Sequence, residues 1–368
     1  MLDVNKKINI LIPDGESPFT LGTIHCLSRI SGINVHLVFS SKENIESKYS
    51  RFISSVTYYK KTGSDTDFID FLKKVIYKKD IKVILPIGFY GIYYISKYRR
   101  NFNFLESELI VPSIRYLEKA NDKWQLSKFL NENDINSPIT INSEDKHKTL
   151  RYPILYKPLI GGNGRGIKIV NNEKELNMTI KAAGQEKFIL QEFIRGYDID
   201  CSILSIKGKI LAFTIQKEYL AASKPFRPPF GVEFLFDSRL FDEIQKLIKA
   251  MNWSGVAHLD LRYDIEDKSF KIIDFNPRFW ASVEASNKVG VNFPYLYILS
   301  SLGNKFEIPE YRFEKCVNNK GLIKLIRSKI YFNHKKLEFP ENFTIKNDLY
   351  DPLPKIMGYS KKLFTKIF

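Results

Sequence analysis

The chain has 368 residues, 57 of them Lys or Arg against 41 Asp or Glu, for a formal net charge of +16. With 44% hydrophobic and 27% charged residues the composition is globular, which excludes a disordered chain, and the length suits two or three domains. Three far-spaced cysteines (Cys26, Cys201, Cys316) imply no disulfide framework, and the histidines show no zinc-type spacing. The longest apolar run, Val83 to Ile95, contains Pro86, Gly88 and Gly91 and is too short to cross a bilayer. Lys6-Lys7 is followed by only a strand-length apolar run, so no secretory signal is read and a soluble, cytoplasmic protein is expected. The charge points to acidic partners, whether nucleotide phosphates, an anionic substrate or a membrane surface. No recognised nucleic-acid module accompanies it.

Ile8 to Ile12 predicts a short buried strand, and Pro13-Asp-Gly15 turns the chain. Helical spacing runs from Thr20 to Ser31, a strand from Val35 to Phe39, a helix over 65–78 and a strand from Val83 to Pro86. This alternation predicts a small parallel sheet with helices packed on it. Asp14, Gly15 and Gly88, at strand ends, are candidate ligand residues, with a plain turn as the competing reading. Leu117 to Asn131 reads as a helix carrying Asn121-Asp-Lys123. Tyr152-Pro-Ile-Leu-Tyr-Lys157-Pro158 is a strand ending in lysine, and the loop Leu159-Ile-Gly-Gly-Asn-Gly-Arg-Gly166 leads to another, Ile167 to Val170. Four glycines in six residues let backbone amides turn inward as an anion nest, with Lys157 and Arg165 adding charge.

Phe188 to Ile194 is an apolar strand that breaks into Arg195-Gly-Tyr-Asp-Ile-Asp200, followed by strands at Cys201–Ser205 and Ile210–Thr214. Tyr219 to Gly231 is a basic, proline-rich loop with Lys224 and Arg227, and Leu240 to Met251 an amphipathic helix. Val256 to Tyr263 then alternates, with His258, Asp260 and Arg262 on one face. Lys271-Ile-Ile-Asp-Phe-Asn-Pro-Arg278 also alternates, putting Asp274 and Asn276 on one face and Ile273 and Phe275 on the other. The turn residues Asp264 to Ser269 make the two a hairpin with Asp260 roughly opposite Asp274. Facing carboxylates repel unless a cation lies between them, so this pair predicts a metal beside the Arg278 guanidinium. Phe279 to Val289 reads as helix. Beyond about residue 305 the chain is lysine-rich and ends in the basic amphipathic tail Lys361 to Phe368, a solvated helix end or a membrane contact.

Taken together, Asp122-Lys123, Tyr156-Lys157-Pro158 with its glycine loop, Gln191 to Asp198 and Asp274-Phe-Asn-Pro-Arg278 resemble the ATP-grasp superfamily in order and spacing, over about residues 116 to 300. The first domain, including Ser50-Arg51-Phe52, resembles the one that precedes ATP-grasp in the carbamoyl-phosphate-synthase-like branch. Asn276 to Ser282 with Gly290-Val-Asn-Phe-Pro294 is similar to a subgroup found in surface-polysaccharide and peptide-type biosynthesis.

The resemblance implies a mixed α/β and α+β chain. A small parallel-sheet domain (1–115) is followed by an N-lobe with a glycine flap (116–190), a C-lobe with the adenine and metal site (191–305) and a basic extension (306–368). It implies ATP with Mg2+ (or Mn2+). Lys123 and Lys157 would hold phosphates, and Gly161, Gly162, Gly164 and Gly166 would form the flap. Gln191, Glu192 and Ile194 would read adenine by their backbone, and Asp198 would bind ribose. Asp260, Asp274 and Asn276 would hold the metal, with Arg278 steadying the transferred phosphate. Arg262, Lys224 and Arg227 are candidates for holding a carboxylate substrate. The family usually has Glu where this chain has Gln191 and Asp274. The implied activity is ligation of a carboxylate, small-molecule or saccharide, to an amine through an acyl phosphate. A non-catalytic ATP-binding protein is the alternative, biotin-dependent carboxylation lacks a carrier segment, and a homo-oligomer is left open.

Overall fold

The first sheet grows from apolar runs that suit strands covered on both faces. In the computed structural model, which describes residues 7–41, 45–60, 63–143, 150–161, 164–224, 226–332 and 340–367 (side chains excepted for 331–332 and 361–367), Ile10, Leu11 and Ile12 are fully buried. They lie in strand β1 (Ile8–Ile12), which pairs in parallel with β2 (Ile33–Phe39) and β4 (Ile81–Ile84); β3 (Ser55–Tyr58) extends the edge. The order is β3-β2-β1-β4. The edge strand β3 was not expected, since Ser55-Val-Thr-Tyr58 has too few apolar residues to stand out; pairing with β2 creates it. Helix Asp65–Lys78 forms where predicted, started by a Ser64/Asp67 capping box, whereas helix Thr20–Leu27 stops one turn early.

The single helix expected from Leu117 to Asn131 is two, Ile114–Asn121 and Lys123–Glu132. Asp122 takes an extended conformation between them, and its carboxylate accepts the Trp124 and Gln125 amides, at 2.9 Å each. A side chain that caps a new helix competes with the i→i−4 ladder of the old one. Lys123 thereby becomes the first residue of a helix rather than a mid-helix residue.

The next sheet has the order β5-β8-β6-β7, built from β5 (Thr140–Asn142), β6 (Ile154–Pro158), β7 (Lys168–Val170) and β8 (Phe188–Glu192), all antiparallel. Helix Glu173–Ala183, started by Asn172, packs on it and was not anticipated. This lobe has its own small core of Ile154, Tyr156, Val170 and Phe188. By contrast, side chains of the parallel sheet (Leu11, Val38, Ile84) and of the large sheet (Ile199, Leu259, Phe275) share one continuous core.

That large sheet has seven strands: β9 (Gly196–Ile206), β10 (Lys209–Leu220), β11 (Gly231–Leu235), β12 (Gly255–Asp264), β13 (Ser269–Asn276), β14 (Lys315–Val317) and β15 (Asn342–Phe343). Their order is β13-β12-β9-β10-β11-β14-β15. Residues 306–368 thus supply two strands to this sheet. They also supply Asp351, 1% exposed, which accepts from Ser50 Oγ and the Arg51 amide and lies 3.3 Å from His25 Nε2. The helix predicted from Phe279 begins at Val283. The side chains of the expected tail, Lys361 to Phe368, lie outside the described residues. Among the described residues no helix is long and apolar enough to cross a membrane.

Candidate active site

One face of the large sheet carries two polar rows. Period-two alternation and strand register put Gln216, Asp200, Asp260 and Asp274 side by side on β10, β9, β12 and β13. Ser202, His258 and Asn276 form the next row. The expected pairing of Asp260 with Asp274 is therefore present, with a register shift after Asp260 that inserts Ile273 as an unpaired residue. This bulge corrects the expected phase: the buried apolar residues of β13 are Phe270, Ile272 and Phe275, while Ile273 stays half-buried beside Asp274.

Neighbouring strands lie about 4.8 Å apart, so three carboxylates in a row repel strongly. Burial, then the neighbouring Asp274, pushes the Asp260 carboxyl up to about 7. Burial, then Asp260 and Asp198, pushes Asp200 well above the usual carboxylate range. Asp200 and His258 were not singled out from the sequence, yet with Asp260 they bring ligand atoms within 4.8 Å of one another. His258 Nδ1 lies 2.9 Å from Ser202 Oγ, and the ring stacks on Trp280 at 5.6 Å. Burial, then Arg278, drives its pKa down to about 3, so the imidazole is neutral. The sequence signal was available: Asp198 and Asp200 alternate, but the segment was read as a break rather than as the start of β9.

Two lysines face this row. Lys157 on β6 is 4% exposed and donates to Gln191 Oε1 at 2.6 Å; Gln191 Nε2 in turn donates to Thr140 Oγ1 at 3.1 Å. Burial lowers the Lys157 pKa to about 8, partly countered by Asp274. The departure from Glu at position 191 has a direct electrostatic effect. An amide oxygen satisfies one ammonium proton without cancelling its charge, whereas a carboxylate would cancel it. Lys123 Nζ donates to the Gly161 carbonyl at 2.9 Å and stands 3.9 Å from Asp274 Oδ2.

Arg278 is held from three sides. Its Nη2 donates to Asn276 Oδ1 at 2.8 Å, its Nη1 to the Phe279 carbonyl at 3.0 Å, and its guanidinium lies 4.6 Å from the Phe19 ring centre. Asn276 Nδ2 donates to Asp260 Oδ2 at 3.2 Å. The Phe279 amide donates to the Ile87 carbonyl at 3.0 Å, which brings the ends of β1 and β4 against the site. Asp14 accepts the Ile87 and Gly88 amides there, with its pKa raised to about 7 by burial. A Cβ at Gly91 would lie 2.5 Å from this carboxylate, so Asp14 fills the start of helix Phe89–Lys97, and Gly15 packs on the Phe39 ring.

Arg262 is placed differently from the rest. It donates to the Ile194 carbonyl at 2.7 Å, the Gly196 carbonyl at 2.8 Å and the Asp198 carboxylate, so its guanidinium clamps the segment between the lobes. Glu192 ties the same segment to Ile139, accepting its amide at 3.1 Å. Of the glycine loop, Gly161, Gly164 and Gly166 have positive φ (146°, 65° and 75°), while Gly162 lies outside the described residues. A Cβ on Gly164 would lie 1.8 Å from the Phe226 carbonyl, so the loop reaches the basic loop that carries Lys224 and Arg227.

A small parallel sheet is thus followed by two antiparallel lobes, with carboxylates on one lobe facing lysines from the other. Residues 120–282 match the family model described as the ATP-grasp domain. The carbamoyl phosphate synthase large chain of Thermotoga petrophila is 23% identical over 219 residues, covering 55% of this chain and 20% of that protein; the chain thus spans about a fifth of such relatives. Among solved structures, N5-carboxyaminoimidazole synthetase from Staphylococcus aureus superimposes with a TM-score of 0.68 at 16% identity, covering 91% of this chain and 88% of that one. An L-amino acid ligase from Bacillus licheniformis gives 0.63 at 18%, covering 84% and 78%. At these identities the two structures show a shared fold, including the small parallel-sheet domain in front.

Proposed function

We propose that the protein is an ATP-dependent, ADP-forming carboxylate–amine ligase that works through an acyl phosphate. The observation that carries this reading is the register of Asp260 with Asp274, flanked by Asn276 and Arg278 and faced by Lys123 and Lys157. Oxygen donors crowded so closely fit a hard cation, and the donor set Asp260, Asp274 and Asn276 would hold Mg2+ or Mn2+. When bound, such an ion neutralises phosphate charge and the carboxylate row together.

Within this reading the chain's own groups act as follows. Lys157 and Lys123 hold the phosphates, one from the sheet and one from a helix start. Gln191, Glu192 and Ile194 line the adenine side, although the Ile194 carbonyl is already taken by Arg262. Asp198 faces the ribose, steadied by Arg262, which serves here as a positioning residue. A substrate carboxylate oxygen attacks the γ-phosphorus, the bond to ADP breaks, and Arg278, fixed by Phe19 and Asn276, stabilises the charge on the transferring group. An amine then attacks the acyl carbon, loses its proton and expels phosphate, leaving an amide. The acyl phosphate hydrolyses readily, so the flap from Gly161 to Gly166 excludes water where it meets Phe226. The shared fold with a protein described as an L-amino acid ligase supports this bond type; carboxyl substrates of peptide or surface-polysaccharide assembly fit the same chemistry.

The test is an ADP-release screen over pairs of amino acids, uronic acids and sugar nucleotides. ADP and phosphate that require both an acid and an amine are expected. A stable phosphorylated alcohol as product refutes the reading, and tight MgATP binding without turnover favours a non-catalytic ATP-binding role instead.

A further inference from the structure

Independently of the ligation chemistry, exposed apolar side chains are concentrated at one end of the chain. Nine of the 24 large apolar or aromatic side chains exposed among the described residues fall within residues 319–359. Helix Asn319–Phe332 is apolar on two sides. Its inner side is seated: Leu325 is 3% exposed, and a Cβ at Gly321 would lie 2.6 Å from the Phe230 carbonyl. Its outer side shows Ile323, Ile326 and Ile330, the last 71% exposed, at the i, i+3, i+7 spacing of a single stripe. Helix Leu353–Ile367 repeats the arrangement, with Pro354 buried, Gly358 against Glu46, and Leu353 and Ile356 outward. Asp348, on the short helix Ile345–Tyr350, accepts from Asn319 Nδ2 at the start of the first helix and lies 3.7 Å from Lys355 Nζ in the first turn of the second. A soluble surface leaves single apolar residues exposed, but two apolar stripes on helices whose first turns share Asp348 mark a docking face.

The charge around the stripes selects the occupant. The described residues 319–332 and 340–359 contain six Lys or Arg against three Asp or Glu, and Asp351 and Asp348 are used internally. Lys320 and Arg327 flank the isoleucines. A second copy of this chain, itself at +16, would bring like charge against like. A surface with negative headgroups over hydrocarbon satisfies both the lysines and the isoleucines. We propose that residues 319–332 and 340–359 dock the protein peripherally on an anionic lipid bilayer.

The test is sedimentation of the full chain with vesicles of phosphatidylcholine, with and without phosphatidylglycerol. Pelleting with phosphatidylglycerol only, weakened by salt, is expected. I323E/I326E/I330E should lower the partition coefficient by at least about tenfold, and I330E alone by a smaller factor. The substituted positions are exposed, so thermal melting and MgATP binding serve as controls for folding and should not change. No pelleting with anionic vesicles, or equal pelleting of the triple variant, overturns the proposal. So does a dimer in light scattering that the triple variant dissolves, which would assign the face to a second copy.

Discussion

Lys157 gives the sharpest quantitative expectation. Its ammonium is buried at 4% exposure with Gln191 Oε1 as partner, and burial takes its pKa from 10.5 to about 8. That fall corresponds to about 3 kcal/mol of folding stability lost while the group is charged. Below pH 8 the lysine is protonated in both folded and unfolded chains, and the cost is full. Between about 8 and 10.5 the unfolded chain holds a proton the folded one has released, so stability rises with pH and the cost disappears above 10.5. Replacing lysine alone would orphan the Gln191 oxygen, so the informative variant is K157M/Q191L, which removes both partners with apolar groups of similar volume. Allowing about 1 kcal/mol for imperfect packing, the unliganded variant should be more stable than the native chain by about 2 kcal/mol at pH 7. The advantage should shrink steadily from pH 8 upward. The same variant should lose the thermal stabilisation that MgATP confers on the native chain. Urea unfolding across pH, with thermal shifts with and without MgATP, reads all of this. A variant that is less stable at pH 7, or that MgATP still stabilises to the native extent, refutes the assignment of Lys157 as a strained phosphate ligand.

Asp274→Asn removes one member of the carboxylate row, so ADP release should fall by at least about a hundredfold while the melting temperature is unchanged or raised. Gly164→Ala places a methyl 1.8 Å from the Phe226 carbonyl at a φ of 65°. It should hinder closure of the flap, seen as reduced turnover and more ADP released without coupled product. His25 stands between Glu284 (2.9 Å) and Asp351 (3.3 Å). Burial lowers its pKa, but the bond to Glu284 and the nearby Asp351 and Asp348 outweigh this and raise it above 6.5. Its contribution to stability is therefore full below 6.5 and lost as pH rises through the raised value. In His25→Gln this part of the pH slope should vanish in unfolding curves, and a persisting slope would place its origin elsewhere.

The site was legible where local pattern and register coincide. Alternation in Val256–Tyr263 and Lys271–Asn276, with a turn of the right length between, was enough to set Asp260 against Asp274. The bulge at Ile273 left no local mark, because an extra apolar residue looks like alternation slipping by one. Asp200 was missed since the start of β9 is fixed by its pairing with β12, from Gly196 opposite Asp264 onward, and not by apolar content. The short strands β11, β14 and β15 are likewise made by their neighbours. Arg262 shows the same limit for side chains: alternation gave its face, but not that Ile194, Gly196 and Asp198 would take its donors.

The separate core of the small lobe has a consequence for how the molecule opens. Ile154, Tyr156, Val170 and Phe188 are few compared with the core that welds the parallel sheet to the large one. The lobe therefore forms a cooperative unit of its own, whose amides exchange with solvent through an opening cheaper than global unfolding. Amides of β6 and β8 should exchange ahead of those of β9 and β12, although all four strands are well paired. A nucleotide held by Lys157 on one lobe and by the carboxylate row on the other joins the two units, and exchange in β6 and β8 should slow until it matches the rest of the chain.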